Sequence, residues 1–271
     1  MKIYYQWEPG SYSHLASEEI QVHLNEDIED IIGLVDFDSV WEKVSQGDIG
    51  VLPIENSYAW SIHANVYHFL SHNHMIIGEY NFEVRHCLLS LEDDISRVRE
   101  AYSHHQALSQ THQYLRNKWI ISKPYADTAG AAKMISEKQK YAAAAVASEL
   151  AAKLYWLNIL EKNIQDQDGN TTKFLIVVWQ DQKELSFWLK KWRITFLFKT
   201  NHTPGSLYHC LEIFAKKQIN LTKIESIPLG TGHFSYGFWV TIEGSLSDIH
   251  IQEAFESLKE KSDFLKILWE Y

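Results

Sequence analysis

The segment Asn170-Thr171-Thr172-Lys173-Phe174 sets two hydroxyls and a cation directly ahead of the apolar run Phe174-Leu175-Ile176-Val177-Val178-Trp179. The run reads as a buried strand, so the polar cluster falls at a strand end, where ligands commonly meet a rigid scaffold. Two earlier segments repeat that arrangement. In Glu8-Pro9-Gly10-Ser11-Tyr12-Ser13-His14, glycine can turn the chain at the end of a first strand and Ser11 or Ser13 can cap the next helix. Such a helix start presents free amides and hydroxyls to an anion. In Gly50-Val51-Leu52-Pro53-Ile54-Glu55-Asn56-Ser57 a carboxylate, an amide and a hydroxyl follow in sequence at another strand end, more than a turn needs.

The elements that must position these groups alternate in type. Strand candidates at 2–7, 31–37 and 49–54 are separated by helical patterns at 13–24 and 40–46, and a further helix at 61–71 leads into an extended apolar stretch over 75–90. Strands at 98–103 and 120–126 then alternate with helices at 106–117 and 129–137, and a last helix over 147–160 precedes the opening segment. That rhythm predicts parallel strands joined by helices, an α/β architecture. A charged, polar stretch at 181–190 interrupts it, and the pattern restarts. Strands at 193–199, 219–227, 233–242 and 264–271 with helices at 206–217 and 248–261 give the order βαββαβ, the ferredoxin-like split βαβ plan. We therefore expect a catalytic region over 1–182, a linker over 183–190 and a separate module over 191–271.

Composition narrows the function classes. Over 271 residues the formal net charge is −10, which opposes a nucleic-acid surface while leaving room for a small anion in a local pocket. The only two cysteines, Cys87 and Cys210, lack paired spacing and suit a reducing compartment, so a cytoplasmic setting is expected. Neither a signal peptide nor a membrane span of about 20 apolar residues is readable. His68, His72 and His74 could in principle meet on zinc, but no cysteine or carboxylate pattern accompanies them, and solvent-facing histidines are the favoured reading. His104-His105 reads as a helix cap or surface pair. Neither a Gly-x-Gly-x-x-Gly nor a Gly-Lys-Ser/Thr loop occurs, and no Gly-x-Ser-x-Gly elbow. No cofactor and no metal is expected.

Taken in order, Gly10-Ser11-Tyr12-Ser13, Val51-Leu52-Pro53-Ile54-Glu55-Asn56-Ser57, Tyr102-Ser103-His104-His105-Gln106-Ala107-Leu108, and the stretch from Tyr155 through Asn163-Ile164-Gln165-Asp166 to Thr172-Lys173-Phe174 resemble the blocks of the prephenate dehydratase family. Pro204-Gly205-Ser206-Leu207-Tyr208 and Asn220-Leu221-Thr222-Lys223-Ile224-Glu225-Ser226-Ile227-Pro228 resemble the two signatures of that family's ACT regulatory domain. The resemblance implies two α/β lobes like those of periplasmic binding proteins, with a cleft between them where prephenate loses carbon dioxide and hydroxide to give phenylpyruvate.

By that resemblance Thr172 donates to the leaving oxygen, Lys173 holds a carboxylate and Phe174 forms an apolar wall. Glu55, Asn56 and Ser57 line the facing part of the cleft, and Ser11, Ser13, Asn170 and Thr171 bind substrate. Gly205, Ser206, Leu207, Asn220, Leu221 and Ser226 are implied to bind an effector, L-phenylalanine, in a homodimer or homotetramer. Arogenate, the amino analogue, is an alternative substrate that these motifs do not separate from prephenate, and a non-catalytic amino-acid sensor is an alternative of another class. Lys173 stands where the family has arginine, Ile227 where it has a basic residue, and Trp7 and Trp60 where glycine is usual, implying a narrower cleft or an altered backbone.

Overall fold

A computed structural model describes residues 1–58, 63–181, 192–201, 203–228 and 236–270. Trp60 and the expected linker at 183–190 lie outside them. The described residues form three sheets. In the first lobe, β1 (Lys2–Gln6), α1 (Tyr12–Gln21), β2 (Asp30–Leu34), α2 (Phe37–Ser45), β3 (Ile49–Asn56), α3 (His63–Ser71) and β4 (His74–Glu83) are joined by β10 (Thr171–Trp179). Their strand order is β2-β1-β3-β10-β4, parallel among the first three, with β10 antiparallel to both β3 and β4.

The second lobe holds β5 (Cys87–Ser90), β6 (Glu100–Ser103), α4 (His105–Gln110), α5 (His112–Asn117), β7 (Ile121–Pro124), α6 (Thr128–Glu137), β8 (Ala143–Ala147), α7 (Glu149–Leu154) and β9 (Asn158–Lys162). Its strand order is β7-β6-β8-β5-β9. The chain thus crosses between lobes twice, after β4 and before β10, and the two crossings are tied together by Val84 N–H to Asn170 O at 2.7 Å and Ile164 N–H to His86 O at 3.0 Å. The extended stretch expected over 75–90 is therefore two strands in different sheets.

Two other sequence expectations give way to tertiary context. Ala143–Ala147 forms the central strand of the second sheet, although alanine favours helices. All five residues are buried, and the small side chains of Ala143, Ala145 and Ala147 share one core with Ala131 and Ala132 of α6. The helix expected over 147–160 stops at Leu154 and is followed by β9. The helix expected over 106–117 breaks at Thr111, whose Oγ1 donates back to Ala107 O at 2.8 Å.

The C-terminal module follows the expected order: β11 (Arg193–Lys199), α8 (Ser206–Lys216), β12 (Leu221–Pro228), β13 (Tyr236–Glu243), α9 (Ile249–Lys261) and β14 (Phe264–Glu270), in an antiparallel sheet ordered β12-β13-β11-β14. One face of that sheet carries α8 and α9 over Phe196, Phe198 and Val240. The other face sets Leu197, Ile227, Trp239 and Leu268 into one core with Val40, Trp41, Val66 and Phe69 of the first lobe. Ile227 is 1% exposed there, so the residue replacing the family's basic one is an apolar plug between the module and the first lobe.

His74 lies in the same region, buried against Trp41, with Nε2 3.0 Å from Ser45 Oγ. His68 stacks on Trp41 and meets Asp38 at 3.1 Å, so His68 and His74 are packing residues rather than solvent-facing ones, whereas His72 is exposed as expected. Among the described residues no group of metal-ligating side chains forms.

Two measurements test this packing. Gly10 takes φ +88°, and a Cβ there would sit 2.9 Å from the Ala151 Cα of the other lobe. Gly10→Ala should lower unfolding free energy by about 1–3 kcal/mol in urea titrations, and an unchanged midpoint would contradict the close approach. Burial, with the neighbouring His72, His68 and Lys266 acting the same way, pushes the His74 imidazole down from 6.5 to about 3. The folded chain therefore keeps His74 neutral where the unfolded chain takes up a proton. Its contribution is complete above pH 6.5 and is lost on acidification toward pH 3, at up to about 1.4 kcal/mol per pH unit. In His74→Gln the fall in stability between pH 6.5 and 4 should be shallower by up to one proton.

Candidate active site

The cleft between the lobes encloses about 320 Å³ and is lined by residues including Gln6, Trp7, Phe37, Asn56, Thr172 and Phe174 from the first lobe. Helix starts converge on it. Ser11, Tyr12 and Ser13 open α1, His104 and Gln106 open α4, and Asp127 and Thr128 open α6, all of them lining the same cavity. Each helix follows a strand, so the cleft sits at strand C-terminal ends in both lobes. First-turn amides of a helix have no partner within it, and the helix dipole adds positive potential there. Among the described residues lining the cleft there is no lysine or arginine. Positive potential on a bound anion comes instead from helix ends, above all α1, where Ser11 accepts from His14 N at 3.3 Å.

Hydrogen-bond polarity around Thr172 follows from one backbone amide. Tyr58 N–H donates to Asn56 Oδ1 at 3.0 Å, which fixes the Asn56 side chain with its NH₂ inward. That NH₂ donates to Asn170 Oδ1 at 2.8 Å and to Thr172 Oγ1 at 2.9 Å. Asn170 Nδ2 must then donate onward, to Gln110 Oε1 at 2.8 Å, and His86 Nε2 meets the same oxygen at 2.9 Å. Burial holds the His86 imidazole below its usual range, hence neutral with its proton on Nε2. Because Thr172 Oγ1 accepts from Asn56, its own proton is left to donate into the cleft. Asn170, 2% exposed and bonded at both ends of its amide, orients this array instead of lining the cavity.

Glu55 and Lys173, expected to reach substrate, face away. Pairing of β10 with β3 shifts register between Lys173 and Phe174: Lys173 lies opposite Glu55 and Phe174 opposite Pro53, leaving Ile54 as an extra residue. This bulge breaks the two-residue alternation of side chains. Asn56 and Pro53 line the cleft, whereas Ile54 belongs to the core shared with the C-terminal module. Glu55 meets Lys223 of β12 at 3.0 Å and Lys173 at 3.7 Å, and Lys173 lies 4.0 Å from Glu79. Burial alone would raise the Glu55 carboxyl, but the ammonium groups of Lys223 and Lys173 outweigh it and hold it below the usual carboxylate range. Ser57 and Thr171 are also outside the cavity lining: Ser57 N–H donates to Thr171 O at 2.9 Å and Thr171 N–H to Ser57 Oγ at 3.0 Å, stapling the ends of β3 and β10.

Trp7 takes φ 90°, the left-handed region that favours glycine, so the backbone keeps a glycine-like path while a larger residue lines the cavity. Residues given no site role in the sequence also line the cleft: Tyr12, His104 and Gln106 from within the quoted blocks, and Gln6, Phe37, Asp127 and Thr128 from outside them. Sequence carried one signal for Asp127, the cap pattern Asp127-Thr128-Ala129-Gly130 ahead of an alanine-rich helix. Its Oδ1 accepts from Gly130 N at 2.7 Å, and burial raises its carboxyl above the ordinary aspartate value despite that bond.

The candidate effector residues do not enclose one pocket within a chain. Gly205, Ser206 and Leu207 follow the Lys199 end of β11, and Ser226 lies at that same end, opposite Phe238, which in turn faces Phe198. Asn220 and Leu221 lie at the other end, where Leu221 and Ile194 both face Ile242, about 14 Å away along the strand.

Two α/β lobes closing on helix N-termini, with an appended split βαβ module, define a two-lobed cleft protein of the periplasmic-binding-protein-like type. The family model for prephenate dehydratase matches residues 3–182. Arogenate dehydratase/prephenate dehydratase 2, chloroplastic, of Arabidopsis thaliana is 38% identical over 283 residues, spanning 100% of this chain and 72% of that protein. The chain belongs to the prephenate dehydratase family. Among solved structures, the prephenate dehydratase of Staphylococcus aureus superposes with a TM-score of 0.83 at 25% identity over 100% of each chain. GqqA, described as a quorum quenching acylase, gives 0.84 at 29% identity over 99% of this chain and 96% of its own.

The position of Lys173 is directly testable. Lys173→Ala should leave KM near the wild-type value and cost up to about 1 kcal/mol of stability by removing a cation from between Glu55 and Glu79. A large rise in KM with unchanged melting would instead place the ammonium on substrate.

Proposed function

We propose that this chain eliminates carbon dioxide and hydroxide from prephenate or from its amino analogue arogenate. The observation that carries this reading is the Thr172 hydroxyl, which accepts from Asn56 and so has its proton free for an oxygen in the cleft. In the reaction the bond from the ring to its carboxylate breaks, its electron pair completes the aromatic ring, and the bond from the opposite ring carbon to oxygen breaks. The products are carbon dioxide, hydroxide and an aromatic side-chain acid. Thr172 stabilises the departing oxygen by a hydrogen bond that strengthens as charge develops on it. Phe174, 1% exposed, supports an apolar wall for the ring. The lack of a lysine or arginine among the described lining residues suits the lost carboxylate, since a strong cation would stabilise the charge that must disappear. Ser11 and Ser13 at the start of α1 suit the retained side-chain carboxylate.

We infer further that the C-terminal module is an ACT-type regulatory domain answering to L-phenylalanine. Its βαββαβ order and the Gly205 and Asn220 segments support that reading. The separation of those segments within one chain fits an effector site completed in a homodimer or homotetramer.

Thr172→Ala should lower kcat by about 10²–10³-fold with the fold intact, and Thr172→Ser should keep most of it. Turnover would be followed as formation of phenylpyruvate from prephenate and of phenylalanine from arogenate. Near-normal turnover by Thr172→Ala would remove the assigned donor. Wild-type protein that binds phenylalanine yet converts neither substrate would be a sensor rather than an enzyme.

A further inference from the structure

Resting on the elimination reading above, we propose that the cleft selects the zwitterionic amino substrate, arogenate, over prephenate, with the carboxylate of Asp127 and the amide oxygen of Gln6 receiving its ammonium group. The two substrates differ at one atom that matters here. Arogenate carries an ammonium on the side-chain carbon where prephenate carries a ketone oxygen. An ammonium brings three donors and a positive charge, whereas a ketone oxygen brings only lone pairs.

The cleft is furnished for donors. Asp127 is its only carboxylate among the described lining residues, and no lysine or arginine lines it. Asp127 is 8% exposed, and its Oδ1 accepts from Gly130 N at 2.7 Å, a bond that fixes the carboxylate while leaving acceptor capacity. Lys133, one turn and a half along α6, is paired with Glu8 at 2.9 Å and lines a neighbouring cavity that Trp7 and Asp127 also border, so its charge is already committed to Glu8.

Gln6 supplies an independent indication. It lines the cleft, is 6% exposed, and its buried Oε1 has no hydrogen-bond partner among the described residues. A buried acceptor left unmade costs stability, and a ligand donor would satisfy it. A ketone oxygen placed among these acceptors would add one more unsatisfied acceptor beside a carboxylate. The carboxylate common to both substrates falls to the start of α1 in either case, so it does not discriminate.

Asn is as good a helix N-cap as Asp, so Asp127→Asn removes the charge while preserving the start of α6. In wild type, kcat/KM for arogenate should exceed that for prephenate by at least about tenfold, and Asp127→Asn should lower the arogenate value by about tenfold to a hundredfold and so move the ratio toward prephenate. Gln6→Leu should shift the ratio in the same direction by less. Wild type favouring prephenate, or Asp127→Asn lowering both values equally, overturns the assignment. Calorimetric binding to Thr172→Ala separates this from the reaction itself. If wild type converts neither substrate, elimination fails as a function. Tighter arogenate binding that is lost in Asp127→Asn, Thr172→Ala would then still support the selectivity, and equal binding would refute it.

Discussion

The hydrogen bond from Tyr58 N–H to Asn56 Oδ1 settles the direction of the side-chain hydrogen bonds that link Asn56 to Thr172, Asn170 and Gln110. A backbone amide can only donate, so it leaves the Asn56 carboxamide one orientation. From there the polarity propagates without choice through Asn170 to Gln110 and His86 in one direction and to Thr172 in the other. A threonine hydroxyl free to rotate would divide its time between donating and accepting. With its oxygen already engaged by Asn56, it keeps its proton for the cleft. The array also spans the molecule, because Asn56 and Thr172 belong to the first lobe, Gln110 to the second and Asn170 to the segment that crosses between them.

That clamp exists only because β3 is bulged. With strict alternation from Pro53, which faces the cleft, Glu55 would share its face and Asn56 would point to the C-terminal module. The extra residue at Ile54 reverses this, bringing the carboxamide to Thr172 and sending the carboxylate to Lys223 and Lys173. The bulge thereby keeps the Glu55 carboxylate and its paired ammonium groups out of the cleft lining. The charges removed from the cleft are matched on the other side of the sheet, where Glu79, 2% exposed, bonds to Arg193 at 2.8 Å.

Much of this was legible in sequence, for physical reasons that also explain the misses. Thr172, Phe174, Asn56, Ser11 and Ser13 all line the cleft, because polar groups at strand ends and helix starts have few other places to go. The C-terminal order of strands and helices is as the periodicity indicates, with boundary differences of at most two residues except at the start of the strand expected over 233–242, whose first three residues lie outside the described ones. Glu55 and Lys173 could not be placed, since a bulge changes the facing of residues without changing their types. The strand at Ala143–Ala147 was hidden by its helix-favouring composition, and only its central position between β6 and β5 overrides that propensity. The division of 75–90 into strands of two lobes depends on the return of β10 nearly ninety residues later, a long-range constraint that a local pattern does not contain.

The electrostatics of the cleft follow from the same economy of charge. A fixed guanidinium or ammonium binds every carboxylate it meets, including one that must leave as neutral carbon dioxide. Helix N-termini behave differently, because their potential is concentrated within a turn of the helix end and acts on the group placed there. On the proposed reaction, a carboxylate anchored at α1 and a ring set among Phe174, Pro53 and Phe37 would leave the second carboxylate in a setting that disfavours its charge. The single acidic lining residue then has a distinct consequence. Asp127 does not oppose the loss of carbon dioxide, since a like charge nearby raises the energy of the ground-state carboxylate, and the α6 amide offsets only part of its own cost of burial, which still raises its carboxyl above the ordinary aspartate value.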